Sequence, residues 1–190
     1  MVISIYFYIG SRLGRQLCYN LLMTAISQLQ MIYSPEEDRV LLRLNTDAAD
    51  EFRFWLTRRY CQMLIQALNA HRDVDPHIST QTTPDAKQAV QSFKQEAASA
   101  KGDFEQAFKQ STNFPLGDAP QLAFKLTYSV DQGKLKLSLQ PKEGQGINLT
   151  LDQSLNFNVT KLLKSASDQA GWLLDWGSYQ SQPIEDRVIN

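Results

Sequence analysis

The sequence predicts an α+β fold of two internally duplicated antiparallel βββα units, related by a pseudo-twofold axis and an offset of 95 residues, and joined by a long helix. Three observations predict it. Apolar residues alternate at period two in three short runs, and three matching runs recur 95 residues later. The period then becomes helical at the same place in both copies. Turn-forming residues separate the same elements each time. The composition is that of one globular domain: 190 residues, 43% hydrophobic and 21% charged. The net charge of −1 supplies no overall basic field for nucleic acid or a membrane surface. The expected layout is an N-terminal segment at 1–26, unit one at 27–71, a loop and connecting helix at 72–120, unit two at 121–171 and a tail at 172–190, all in one shared globular domain.

The chain opens on MVISIYFYI, a run too short to span a bilayer. Arg12 and Arg15 follow that run, whereas a signal peptide carries its charges ahead of it. Met23 stands just before the first patterned strand, so an internal native start is expected, with residues 1–22 outside the repeat. A short amphipathic helix or an added strand is the alternative.

Strand one of each unit aligns Leu29, Met31 and Tyr33 with Phe124, Leu126 and Tyr128. Strand two aligns Val40, Leu42 and Leu44 with Leu135, Leu137 and Leu139, and strand three aligns Phe52, Phe54 and Leu56 with Ile147, Leu149 and Leu151. These are the inward faces. PEED and VDQG are the first turns, and DAAD and KEGQG the second. Tyr60, Leu64, Ala67 and Leu68 then match Leu155, Val159, Leu162 and Leu163, a helical stripe with Thr57 and Asp152, or Ser154 nearby, as N-caps. One such helix hardly covers three strands, so the two units are expected to share a core.

His71 to Thr83 reads as a polar loop. Thr83-Pro84 starts a helix over 84–109 with a heptad-like seam of Ala86, Val90, Phe93, Ala97, Ala100, Phe104 and Ala107, weakened at Gly102. That seam either packs on its own domain or pairs with a second copy in a homodimer. WLLDWGSY is expected to fold back on the body and SQPIEDRVIN to form a loose tail.

No phosphate-binding loop, dinucleotide fingerprint, zinc-protease motif or nucleophile elbow is present. No catalytic residue, cofactor or small-molecule substrate is therefore expected. His71, Asp73, Asp75 and His77 are dense in potential ligands, but their spacing fits no metal pattern. Cys61 falls in the first turn of a helix, where a thiolate could be stabilised, yet no base is identified for it. Two unpaired cysteines, Cys18 and Cys61, and no membrane segment point to the cytoplasm.

The outward strand positions carry the functional expectation. Gln30, Ile32, Arg39, Leu41, Arg43, Asn45, Arg53 and Trp55 face out in unit one, and Lys125, Thr127, Lys134, Lys136, Ser138, Gln140, Asn148 and Thr150 in unit two. Read this way, the face has no carboxylate. Arg39, Arg43, Arg53, Trp55, Lys125, Lys134 and Lys136 would track the phosphates of single-stranded DNA or RNA and stack a base. The alternative is an ordinary solvated face on which Trp55, Ile32 and Leu41 are covered by the connecting helix or by a partner.

This arrangement of duplicated meander, helix and basic outer sheet resembles the Whirly and PUR-alpha-type single-stranded nucleic-acid binders, over roughly residues 27–170. The likeness implies a non-enzymatic nucleic-acid-binding role, although those proteins use four strands per unit and this chain shows three. Separately, EEDRVLLRLNTDAADEFRFWLTRR resembles a segment of an uncharacterised bacterial family, which implies no activity. The second functional expectation is an assembly module that dimerises through the 84–109 helix or the Trp55 face.

Overall fold

The computed structural model describes residues 26–101, 107–177 and 188–189. The expectations for residues 1–22, Gly102 and Phe104 lie outside them. The described chain is α+β, in the order β1 (Ile26–Ser34), β2 (Arg39–Thr46), β3 (Glu51–Leu56), α1 (Arg58–Asp73), α2 (Pro76–Ser79), α3 (Pro84–Lys101), β4 (Gln121–Asp131), β5 (Lys134–Pro141), β6 (Ile147–Leu151), α4 (Gln153–Gln169) and β7 (Val188–Ile189). No helix among the described residues is long and apolar enough to cross a membrane.

The first six strands form one mixed sheet in chain order. Each trio is an antiparallel meander with a short connection, and the trios meet where β3 and β4 run parallel. That junction has two register pairs only, Phe54 with Gln121 and Trp55 with Leu122. Beyond it β3 leaves the edge of β4 open, and β7 pairs there instead, against Leu126 and Thr127. The expected loose tail therefore returns to the sheet at Val188–Ile189.

The predicted inward residues of β2, β3, β5 and β6 are all buried, as are Leu64, Leu68, Val159 and Leu163 on the helices. Thr57 accepts from the Tyr60 N–H and Asp152 from the Leu155 N–H, which caps α1 and α4 as expected. The helices cross over. Besides β3, α1 packs on β4 and β5, while α4 packs on β1 as well as β6, so both halves build a single core.

The two halves agree in register except at their first strands. Leu42 pairs with Phe54 in the first half and Leu137 with Leu149 in the second, each residue 95 positions further on. Leu29, however, faces Leu44, while it is Leu126 that faces Leu139, so β4 has slid by two residues. Turn length explains the slide. Four residues, Pro35–Asp38, separate the pair Ser34–Arg39, but only Gln132 and Gly133 separate Asp131 from Lys134. Both lie at positive φ (49° and 71°), the geometry of the two-residue type I′ hairpin. Each first strand also carries one extra residue, Ser27 in β1 and Phe124 in β4, where the ladder shifts register. The bulge turns Phe124 outward, and at 53% exposed it corrects the expectation of an inward residue.

The 71–83 region is more helical than a loop. Helix α1 continues to Asp73 and α2 follows at once, capped by Asp75, whose carboxylate accepts from the His77 N–H. The predicted 84–109 helix ends as α3 at Lys101. It docks on α2 and α4 through Ala98, which shares a small core with Ile78 and Phe157 and is flanked by Val90. Much of its apolar seam faces away from the body, with Ala97 and Ala100 exposed and Phe93 71% exposed.

Candidate interaction face of the sheet

The outer face of the first trio differs from its sequence reading in one decisive residue. Strand β3 begins at Glu51, not Phe52, and its parity aims the Glu51 side chain outward beside the arginines. Oε1 of Glu51 accepts from Arg43 Nε at 2.8 Å and Arg53 Nε at 2.6 Å, with the carboxylate fully buried. Oε2 accepts from the Ser111 N–H at 3.3 Å. Burial pushes the Glu51 carboxyl up, but the bonds from Arg43, Arg53 and Ser111 outweigh it and hold the pKa below its ordinary value. The expectation of a face without carboxylates is thus corrected.

A strap of chain, residues 107–118, lies over this cluster. The Phe108 ring stacks on the Arg43 guanidinium at 4.1 Å and the Phe114 ring on Arg53 at 4.4 Å. Asn45 donates to the Lys109 carbonyl, Gln28 to that of Ala107 at 3.2 Å and Arg53 to that of Asp118 at 3.0 Å. Arg43 and Arg53 therefore hold the strap to the sheet. Arg39, at the tip of the first hairpin, pairs with Glu37 at 3.1 Å.

The neighbouring row is apolar and continuous. Ile32 pairs with Leu41, Leu41 with Trp55, and Trp55 with Leu122, placing four large side chains side by side across β1–β4. Ile32 and Leu122 are each 41% exposed, Leu41 and Trp55 half-buried, and the bulged Phe124 follows Leu122 along β4. The sequence groups Ile32, Leu41 and Trp55 on one face, but Leu122 joins them only through the parallel β3–β4 junction.

In the second trio Lys125 is half-buried, Lys134 exposed, and Lys136 paired with Asp131 at 2.6 Å. The seven residues expected to form one basic face are therefore divided. Two arginines are held beneath the strap, Arg39 and Lys136 are ion-paired at hairpin ends, and Trp55 belongs to the apolar row.

Among the other chemical candidates, Cys61, His71 and Asp75 are buried or bonded to neighbouring groups. Cys61 is a free thiol with no exposure, and burial pushes its pKa up to about 12, the reverse of an activated thiolate. His71 sits in the core between the halves. Its Nε2–H donates to the Gly133 carbonyl at 2.9 Å and its Nδ1 accepts from Asn156 Nδ2 at 2.9 Å, which selects the neutral tautomer. Burial lowers its pKa, against opposing effects from Gly133, Asp152 and Asp75. Asp75 is bonded to Lys94, and no metal-holding group of three or more His, Cys, Asp or Glu occurs among the described residues. No family model matches the chain, and neither the curated proteins nor the solved structures contain a match.

Proposed function

We propose that this protein is a non-enzymatic protein-interaction module, and that its contact surface is the apolar row Ile32–Leu41–Trp55–Leu122 with Phe124 beside it. The observation that carries this reading is the continuity of the row over four strands with large apolar side chains in contact with solvent. Such patches on a folded surface mark contact sites, and Trp is the residue most enriched at their energetic centres. The two ion-paired arginines and the strap form one polar margin, consistent with a patch that ends sharply. A benzophenone side chain placed at position 122 tests the reading in cells. One discrete protein adduct is expected, lost on Trp55→Ser and absent when the probe is moved to exposed Gln66. Adducts removed by nuclease would transfer the face to nucleic acid.

The exposed Phe124, next in sequence to Lys125, favours a second reading, single-stranded DNA or RNA bound by Lys125, Lys134 and Lys136. Labelled oligonucleotides should then bind with an affinity that falls steeply with salt and is reduced by Lys125→Glu/Lys134→Glu. We further infer that the two halves arose by duplication. The 95-residue correspondence of β2–β3 with β5–β6, the paired caps at Thr57 and Asp152 and the paired bulges at Ser27 and Phe124 support it.

A further inference from the structure

At 11 residues β4 is the longest strand of the sheet, yet one of its two sides is sparsely paired. Its neighbour β3 contributes two register pairs and ends at Leu56, where the chain turns into α1. The Tyr60 hydroxyl takes the Lys125 carbonyl at 3.4 Å. From Leu126 to Asp131 the strand then offers a run as long as an ordinary strand. Among the described residues, β7 pairs with two positions of that run, Ile189 with Leu126 and Val188 with Thr127. A strand edge of this kind is a template for another chain, and β7 shows that this one accepts an antiparallel strand.

The C-terminal segment divides into a firm root and a light latch. At the root, Arg58 donates to the Leu173 carbonyl at 3.2 Å and Asn69 to the Trp176 carbonyl at 3.0 Å. Gln62 donates to the Asp175 carbonyl at 2.7 Å and accepts from its N–H at 2.9 Å, while Trp172, Leu174 and Trp176 pack against the core. The latch, β7, is 2 residues long. Continuing its register along β4 would bring Arg187 opposite Tyr128 and Glu185 opposite Val130. Tyr128 and Val130 lie on the core side, packed against the apolar cluster, where charged side chains fit poorly. We propose that the β4 edge from Leu126 to Asp131 is the docking site of an extended segment of a partner protein. That segment is apolar opposite Tyr128 and Val130, adds as an antiparallel strand and displaces β7. The proposal rests on the interaction-module reading and names the form its partner takes. Leu122 and Phe124 precede Leu126 on the same strand, so the segment, continuing past Leu126, heads for the apolar row. Joined to its root through residues 178–187, β7 competes from within the chain at an effective concentration on the order of 1 mM. It therefore excludes weak competitors and yields to a strand that pairs along the whole run.

Fluorescence anisotropy on the whole protein tests this with two labelled peptides, residues 181–190 as they stand and the same peptide carrying Glu185→Val and Arg187→Val. The valine peptide should bind the wild type at least tenfold more tightly than the natural one. Full-length Val188→Asp/Ile189→Asp, which lacks the latch, should bind both peptides at least tenfold more tightly than the wild type does. Only every second N–H of an added strand faces its neighbour. N-methylation of alternate residues in the valine peptide should therefore cost at least tenfold in one frame and less than threefold in the other. Equal affinity of the wild type and the latch variant, equal affinity of the two peptides, or equal loss in both N-methyl frames would each overturn the proposal. In cells, the latch variant should raise the yield of the adduct at position 122 at least threefold. A Trp55-dependent adduct of unchanged yield would leave the apolar row standing and overturn the strand site. Frame-dependent peptide binding without any such adduct would support the edge and count against the row.

Discussion

Glu51 holds two guanidinium groups on one carboxylate oxygen, inside a site closed by Phe108 and Phe114. Removing a buried charge strands its partners, and the usual cost of about 3–5 kcal/mol falls to about 2–4 here because Arg43 and Arg53 keep some access to solvent. Glu51→Gln should therefore lower the urea-unfolding free energy by that amount. The pH dependence has a definite sign. Since the folded pKa lies below the unfolded one, Glu51 contributes its full stabilisation above the unfolded value and loses it as pH falls through the folded value. Stability of the wild type should drop more steeply than that of Glu51→Gln below about pH 4.3, and parallel curves would separate the carboxylate from the lock. The sequence hides this residue because it abuts the turn DAAD, where an acid reads as solvated.

Strand positions and faces were legible wherever side-chain alternation reports them. Register was not, since a slide of two residues leaves every side chain on its original face. Only the turn, Gln132-Gly133 against Pro35–Asp38, reveals the slide of β4. The strap over Glu51 was also illegible, because much of its hold is through the backbone carbonyls of Ala107, Lys109 and Asp118, which every residue possesses. Another element-level constraint falls at the start of β6. A Cβ at buried Gly146 would come within 2.1 Å of the Leu139 carbonyl oxygen and 2.9 Å of the Gln140 Cα, both backbone atoms. Overpacking commonly costs about 1–3 kcal/mol, and a clash with backbone should exceed it. Gly146→Ala should lose more than about 3 kcal/mol in urea unfolding, while Gln145→Ala stays within about 1 kcal/mol.

At the scale of the molecule, the exchanged helices make each half dependent on the other. The His71 network ties the end of α1 to the β4–β5 turn and to α4, and Tyr60 donates to the Lys125 carbonyl at 3.4 Å. A chain cut between Lys101 and Ala107 should give halves that are insoluble when made singly and soluble as a complex when made together. A soluble, cooperatively melting first half would show that α1 can cover β1–β3 unaided. The sequence led to this shared core from the arithmetic of one helix over three strands. It gave no sign of the β3–β4 junction, which rests on two residue pairs.

The packing of α4 on β1 has a consequence during synthesis. The helix that will cover Leu29 and Met31 begins more than a hundred residues after β1 ends, and leaves the ribosome that much later. At roughly 5–20 residues per second the nascent chain waits on the order of 5–25 s with that apolar surface uncovered. Cross-linking of stalled nascent chains to a ribosome-associated chaperone should therefore be strong for lengths that expose β1 alone and fall once α4 has cleared the exit tunnel.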